Sequence, residues 1–568
     1  MRLSFLLFLS CATLAVANEA EENLIDRHVF AKMQRDGIPA APLSPDAEFL
    51  RRLTLDLTGR LPEPEAARRF LADSAPGKRE RLIRSLIPPL PVTSMRSIST
   101  HPFLDRWAYY FNDLFRNGQL LEQGINSFYD HIYKSLLLNV PYDEMVRELL
   151  TASAVSTWTS GPANFVARSH VFQGDGYIVN PEDTADELAI VTGKLFLGVN
   201  LECVSCHDGA RHLEKINLWL ARQKRGGMMR QAAFFGKTFI EPVYGRSPQF
   251  MVKDTRSGYN PASASALRPR RNPKEDVTPT FILTGATVKE GEKERDAFAR
   301  LLTTDAQFAR AAVNLIWAEL MGQGIVDGPY DFDLDRQDPK NPPPAPWTIQ
   351  PSHPELLDEL AADFRAHHHD LRRLIRLIVS SRTYQLSAVH PGPYPPQYDT
   401  YFARRIVRRL SAEQTWDAIA QLAGNLPAYK ITFADQKAAS ILQTHSPQDI
   451  EKADKVLYRS LQAFGQCDRY ATEADRRPNM IQSAILLNDK SIRERVQIVK
   501  DGRLDKLLHA QPALSDAAFV DELFWAALAR PASEKEQAVA REALRTNREQ
   551  GAEDLLWALV NRLDFLFY

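Results

Sequence analysis

Five residues constrain this chain more than any others: Cys203-Val204-Ser205-Cys206-His207, inside FLGVNLECVSCHDGARHLEKINLWL. The C-x-x-C spacing sets two thiols about one helical turn apart. Both can then bond the vinyl groups of one porphyrin while the adjoining imidazole reaches its iron from the same side. The pattern predicts one haem c, attached covalently through Cys203 and Cys206, with His207 as the proximal ligand of the iron. Only four cysteines occur in 568 residues, and Cys11 falls in a segment expected to be removed. A chain that avoids cysteine yet keeps two at this spacing before a histidine points to chemistry rather than packing. Other uses of the pair stay open: a C-x-x-C disulfide or redox pair, and a zinc site or inert thiols. A structural zinc site wants four ligands, and Cys206 and His207 are sequence neighbours that rarely serve one tetrahedral ion together. A thioredoxin-like role needs a βαβ setting, which the flanking helical periodicity does not offer.

Residues Met1–Ala17 open with Arg2, run on through LSFLLFLSCATLAVA and end on Ala15-Val16-Ala17, a small-residue cleavage site. This is the pattern of a secretory signal peptide, too short to cross a bilayer. Phe8-Leu9-Ser10 before Cys11 is a poor context for lipidation. The mature chain is expected to begin near Asn18 and to be periplasmic or otherwise extracytoplasmic, which is where haem is joined to C-x-x-C-H proteins. Lys and Arg number 70 against 71 Asp and Glu, interspersed along the chain. No basic field points to nucleic acid, and no polybasic stretch points to a membrane surface. No later run is long and apolar enough to span a bilayer. The expected partner is a redox partner or another exported protein.

Periodicity predicts a mainly α chain: two helical domains, 18–237 and 285–568, joined by an irregular, partly β segment over 238–284. In AEFLRRLTLDLT, the apolar Phe49, Leu50, Leu53 and Leu57 follow helical spacing, and Gly59 ends the run. The stripe Trp107, Tyr110, Phe111 and Phe115 reads as core rather than as the wall of a prosthetic-group pocket. A helix over 181–201 leads into the C-x-x-C-H turn. Beyond it, Leu213, Ile216 and Leu220 share a helical face, and Gly226-Gly227 break the pattern. FIEPVY, QFMVK and PTFIL are the β-prone pieces of the connecting segment. Its cluster Arg268, Arg270, Arg271 and Lys274 offers an anion site but reads better as a solvated loop. Ser352 with Glu355 and Ser411 with Gln414 have capping-box spacing. His367-His368-His369 looks like metal binding, but consecutive residues on a helix diverge, so a solvated helix end is expected. Asp327, Asp331, Asp333 and Asp335 suggest calcium without the glycine and terminal glutamate of the twelve-residue loop. The chain has no G-x-S-x-G, P-loop or H-E-x-x-H, so a hydrolase reading has little support.

AEFLRRLTLDLTGRLPEPEAARRFLAD, PYDEMVRELLTAS, FLGVNLECVSCHD and QAAFF resemble the first of two paired bacterial domains of unknown function, numbered 1549 and 1553. The second of the pair is resembled by FARAAVNLIWAELMGQGIVD, SHPELLDELAADF, LIRLIVSSRTYQLS, RRLSAEQTWDAIAQ and DLLWALVNRLDFLF. The pair occurs in exported, planctomycete-type cytochrome-like proteins. The resemblance implies a cytochrome-like role for Cys203, Cys206, His207 and Asp208, and no established activity. The family pattern continues CHDHPF where this chain reads CHDGARH, so a second histidine beside Asp208 is missing.

One-electron transfer is the function expected of such a site. Asp208 is expected to orient His207 or cap the next helix. For the distal ligand, Met228 or Met229 ranks ahead of His212, which lies too close in sequence to reach the opposite face easily. Two rivals stand beside this reading. One is a haem-free extracytoplasmic binding or scaffold protein with a C-x-x-C disulfide. The other is an enzyme acting on polysaccharide-derived substrates, with aromatics and the Asp327–Asp335 loop lining a cleft.

Overall fold

The computed structural model describes residues 23–88, 101–174, 178–244, 248–269, 271–469, 474–475 and 477–568. The expected leader Met1–Ala17, the mature start near Asn18 and Arg270 lie outside the described residues.

Helices make up 54% of the described residues and strands 5%, so the fold is mainly α. AEFLRRLTLDLT forms the helix Asp46–Thr58, in which every residue from Phe49 onward is buried. Trp107, Phe111 and Phe115 on and just after the helix Pro102–Leu114 are at most 2% exposed, which is the core role their spacing predicts. Ser411 and Gln414 close a capping box at the start of Ala412–Ala423. The other expected box does not form. The helix Pro354–Ala366 is capped by His353, and the Ser352 hydroxyl instead donates to the Ile325 carbonyl at 3.2 Å.

In the connecting segment, FIEPVY and QFMVK supply an antiparallel hairpin, Thr238–Pro242 with Phe250–Asp254, in the register Ile240 opposite Val252. PTFIL yields no strand, only an isolated bridge from Thr280 to Thr287. A second two-stranded sheet, Tyr429–Lys430 with Lys437–Ala438, completes the β content of the described residues.

Burial does not divide at this segment. One core gathers residues from Ile25 to Ala403, among them Trp107, Phe196, Val204, Phe298, Trp317 and Ile378, together with Ala529. The other gathers Trp416, Ile419, Phe464, Leu523, Leu556 and Phe565, with Leu55 and Leu61 added from the N-terminal half. Helices beyond residue 285 therefore cover helices before 237. Glu294–Thr304 packs on Tyr142–Thr151, Ala306–Met321 on Pro181–Leu197, and Pro354–Ala366 on Leu24–Arg35. An amphipathic stripe demands a cover, and the nearest cover in space need not be the nearest in sequence. Among the described residues, no helix is long and apolar enough to cross a membrane.

Candidate functional site

Asn180 caps the helix Pro181–Leu197, its side chain accepting from the Asp183 N–H at 3.0 Å, with Pro181 preset in the first turn. Gly198 ends the helix in the left-handed region at φ 68°, where a Cβ would sit 2.5 Å from the Phe332 ring. Glycine alone meets both demands. Leu201 and Val204, both fully buried, then anchor a single turn of helix, Glu202–Cys206. Val204 and Ser205 face inward. Cys203 is exposed, and Cys206 and His207 are half-buried. Both thiols are free.

His207 leaves the helix in extended conformation, and its Nδ1 lies 2.7 Å from the backbone oxygen of Asp208. A carbonyl oxygen only accepts, so Nδ1 carries the proton and Nε2 presents its lone pair. The Asp208 carboxylate has a different task. Its Oδ1 accepts from the Arg225 N–H at 2.9 Å, at the start of the helix Arg225–Ala232. Asp208 therefore both caps a helix and orients His207, the second through its main chain.

The other predicted ligands lie close to the turn but in different settings. His212 is exposed on the same side as His207, the two rings 4.4 Å apart between centres. Met228 and Met229 are core residues, 1% and 4% exposed, on the helix that packs against Glu202–Cys206. That helix includes Gly226 and Gly227, which the periodicity took for a break. Leu213 and Leu220 are buried, whereas Ile216 is exposed, because residues 209–216 form turns rather than a continuous helix.

The basic cluster divides: Lys274 is exposed as a solvated loop residue, whereas Arg268 and Arg271 are held against the Pro181–Leu197 helix. Arg271 is 1% exposed and donates through Nη2 to Asp183 Oδ1 at 2.7 Å and Asp186 Oδ2 at 2.6 Å. Tyr259 donates to Asp186 Oδ1 at 2.7 Å and accepts from Arg271 Nε at 2.8 Å. Arg268 Nε reaches the Ser205 hydroxyl at 3.0 Å, inside the C-x-x-C turn itself. Tyr259, Arg268 and Arg271 thus bolt their loop to the Pro181–Leu197 helix and to the thiol-bearing turn. Burial raises the Asp186 carboxyl against the pull of Arg271. At Asp183, burial is outweighed by the Ser265 hydroxyl, the Ala266 N–H and Arg271, which hold it below the usual carboxylate range. Sequence reasoning missed this clamp. Its signal was the Asp183–Asp186 spacing on one helix face, which passes equally well for an acidic first turn.

The aspartate-rich loop is also structural. Asp333 is buried and accepts from the Leu218 and Trp219 N–H groups at 2.7 and 3.0 Å, capping the helix Leu218–Arg222, and Asp335 pairs with Arg222. The histidine triplet splits. His367 is exposed, and His369 is buried with Nδ1 3.1 Å from Asp143 Oδ1. Among the described residues, no group of three or more His, Cys, Asp or Glu side chains is placed to hold a metal ion.

Two family models match this chain. One is PSCyt2, a protein of unknown function (DUF1549), over residues 24–215; the other is PSD1, a protein of unknown function (DUF1553), over residues 294–544. The chain carries the DUF1549 and DUF1553 pair. The DUF1549 region contains the whole C-x-x-C-H turn and His212. The loop with Arg268 and Arg271 falls between the two regions, and Asp333 in the DUF1553 region caps a helix that follows the turn. No curated protein and no solved structure matches the chain.

Proposed function

We propose that this is an extracytoplasmic c-type haem protein acting in one-electron transfer. Cys203 and Cys206 hold the porphyrin by thioether bonds, and His207 is the proximal ligand. The observation that carries the reading is the contact between His207 Nδ1 and the Asp208 carbonyl oxygen. With Nδ1–H tied to the Asp208 carbonyl at 2.7 Å, Nε2 is left free to bind iron, the arrangement by which outer partners fix ligating imidazoles. The thiols support it as well, since Cys203 is exposed and Cys206 partly so, within reach of a maturation apparatus. Bound haem supplies a one-electron iron couple.

The chain's own residues hold this donor set rigid. Val204 anchors the turn in the core, Ser205 is gripped by Arg268, and Arg225 Nε donates to the Ser205 carbonyl at 3.0 Å. No residue is assigned to the opposite face. His212 lies beside His207, the two rings 4.4 Å apart between centres, and Met228 and Met229 are buried in the core. The apolar run Met1–Ala17 supports export, and the partner is a redox protein or another exported protein.

The test is a pyridine haemochrome spectrum of the full chain, matured in a host that attaches c-type haem, beside a Cys203→Ala/Cys206→Ala variant. A Soret band that survives denaturation in the wild type alone is expected. A folded, colourless wild type overturns the reading and leaves a haem-free binding protein as the better account.

A further inference from the structure

Away from the C-x-x-C-H turn, a groove of about 420 Å³ opens between the two cores. Its volume is that of a small-molecule site. The first core contributes Ile125, His170, Phe172 and Phe250, and the C-terminal part contributes Thr432, Phe433, Gln448 and Lys452. Several features there carry a cost that packing alone does not explain. Phe172 and Phe433 expose 37% and 53% of their surface. Phe433 at φ 60° and Glu122 at φ 43° both hold left-handed backbone, although neither is glycine, and both line this groove. Such strain concentrates at ligand clamps. Gln448 is only 6% exposed, yet its Oε1 has no hydrogen-bond partner within the protein. A buried amide oxygen left unmatched costs about 1–3 kcal/mol; the atom is sealed from solvent as the side chain stands, so a turn of the Gln448 amide toward the groove presents it to a ligand hydroxyl and relieves that cost. His170 Nδ1 lies 2.8 Å from the Ala167 carbonyl, so its Nε2 is an acceptor. Burial keeps the ring neutral by lowering its pKa.

We infer that this groove binds a neutral sugar, its ring faces against Phe172 and Phe433 and its hydroxyls on Gln448 and His170. A pyranose has apolar C–H faces and a belt of hydroxyls that each donate and accept. The groove matches it with flat aromatic surfaces, two uncharged acceptors, the Thr432 hydroxyl and the Lys452 ammonium. Its charges, Lys452 against Glu122 and Glu451, offer no basic cluster for a phosphorylated, sulfated or uronic sugar. Lys452 Nζ already rests 4.8 Å over the Phe433 ring, which orients that ring without committing its outer surface. The inference is independent of haem attachment.

Isothermal titration of the full chain tests it. The probes are cello-, xylo-, manno- and malto-oligosaccharides, with a uronic oligosaccharide, a sulfated oligosaccharide and p-nitrophenol as comparisons. At least one neutral sugar is expected to bind. Phe433→Ala and Gln448→Leu should each weaken it about tenfold, roughly 1.4 kcal/mol, while Cys203→Ala/Cys206→Ala leaves it unchanged. Melting temperatures establish that the variants are folded. The inference is overturned if no neutral sugar binds, if a charged sugar or p-nitrophenol binds better, or if binding survives both groove variants.

Discussion

His445 lies at the seam between the two cores, 5% exposed, stacked on Tyr129 at 3.9 Å between ring centres. The Asn126 amide is oriented by its own donation to the Thr432 carbonyl at 2.9 Å, so its Oδ1 accepts from His445 Nδ1 at 2.7 Å. Burial, helped by the Arg469 guanidinium, lowers the His445 pKa to about 3. The unfolded chain takes up a proton near the ordinary histidine pKa of about 6.5, and the folded chain does not. Below that pH the unfolded state binds more protons, so this residue's contribution to stability is present above it and is lost as pH falls. His445→Asn keeps a donor for Asn126 but does not titrate. Urea unfolding should show the variant weaker than wild type at about pH 7 and the gap smaller by about 2 kcal/mol at about pH 5. A gap that does not move with pH refutes the argument. Nothing near His445 in the sequence marks it. The two side chains its ring rests on, Tyr129 and Asn126, are more than three hundred residues away, whereas His207 was legible because every residue that gives it meaning lies within four positions.

Among the elements, the helix expected over 181–201 forms as Pro181–Leu197: its start was legible, but it stops four residues early because Gly198 turns into the left-handed region. What it supports was not legible. The loop that carries Arg271 is pinned to it from 88 positions along the chain by Asp183, and a run of Pro, Ser and Arg gives no hint of burial. A buried ion pair is a poor source of net stability, but removing one partner strands the others. Arg271→Met leaves Asp183 without its cation and Asp186 with Arg268 alone, at 4.0 Å, and the loss expected is about 3–5 kcal/mol. Urea midpoints measure it, and a loss below about 1 kcal/mol would show that the clamp is not structural. The same blindness to distance explains Gly226 and Gly227. Both disfavour a helix by intrinsic propensity, yet Asp208 caps that helix from outside and Met228, Met229 and Ala232 bury its inner face.

For the whole molecule, the decisive fact is that burial ignores the linear order of the two halves. Asp56, from the first helical run, accepts from the Tyr384 hydroxyl at 2.8 Å, the Tyr568 hydroxyl at 2.9 Å and Arg405 Nη2 at 3.2 Å. The helix Asp46–Thr58 is tied there to Tyr568, more than five hundred positions along the chain. Residues 18–237 expressed alone would expose the faces that Glu294–Thr304, Ala306–Met321 and Pro354–Ala366 cover. That fragment should bind a hydrophobic dye and unfold without a cooperative transition by circular dichroism, where the full chain unfolds sharply. A sharply unfolding fragment would make the two halves independent domains. The sequence by itself determined the helical class, several helix ends and caps, the hairpin and the C-x-x-C-H turn, because these follow from contacts within a few residues. Only the tertiary structure decided which helices share a core, why Arg268 and Arg271 are buried, and where Met228 and Met229 point. Those outcomes depend on surfaces brought together from distant positions, and an apolar stripe states that a face will be covered without stating by what.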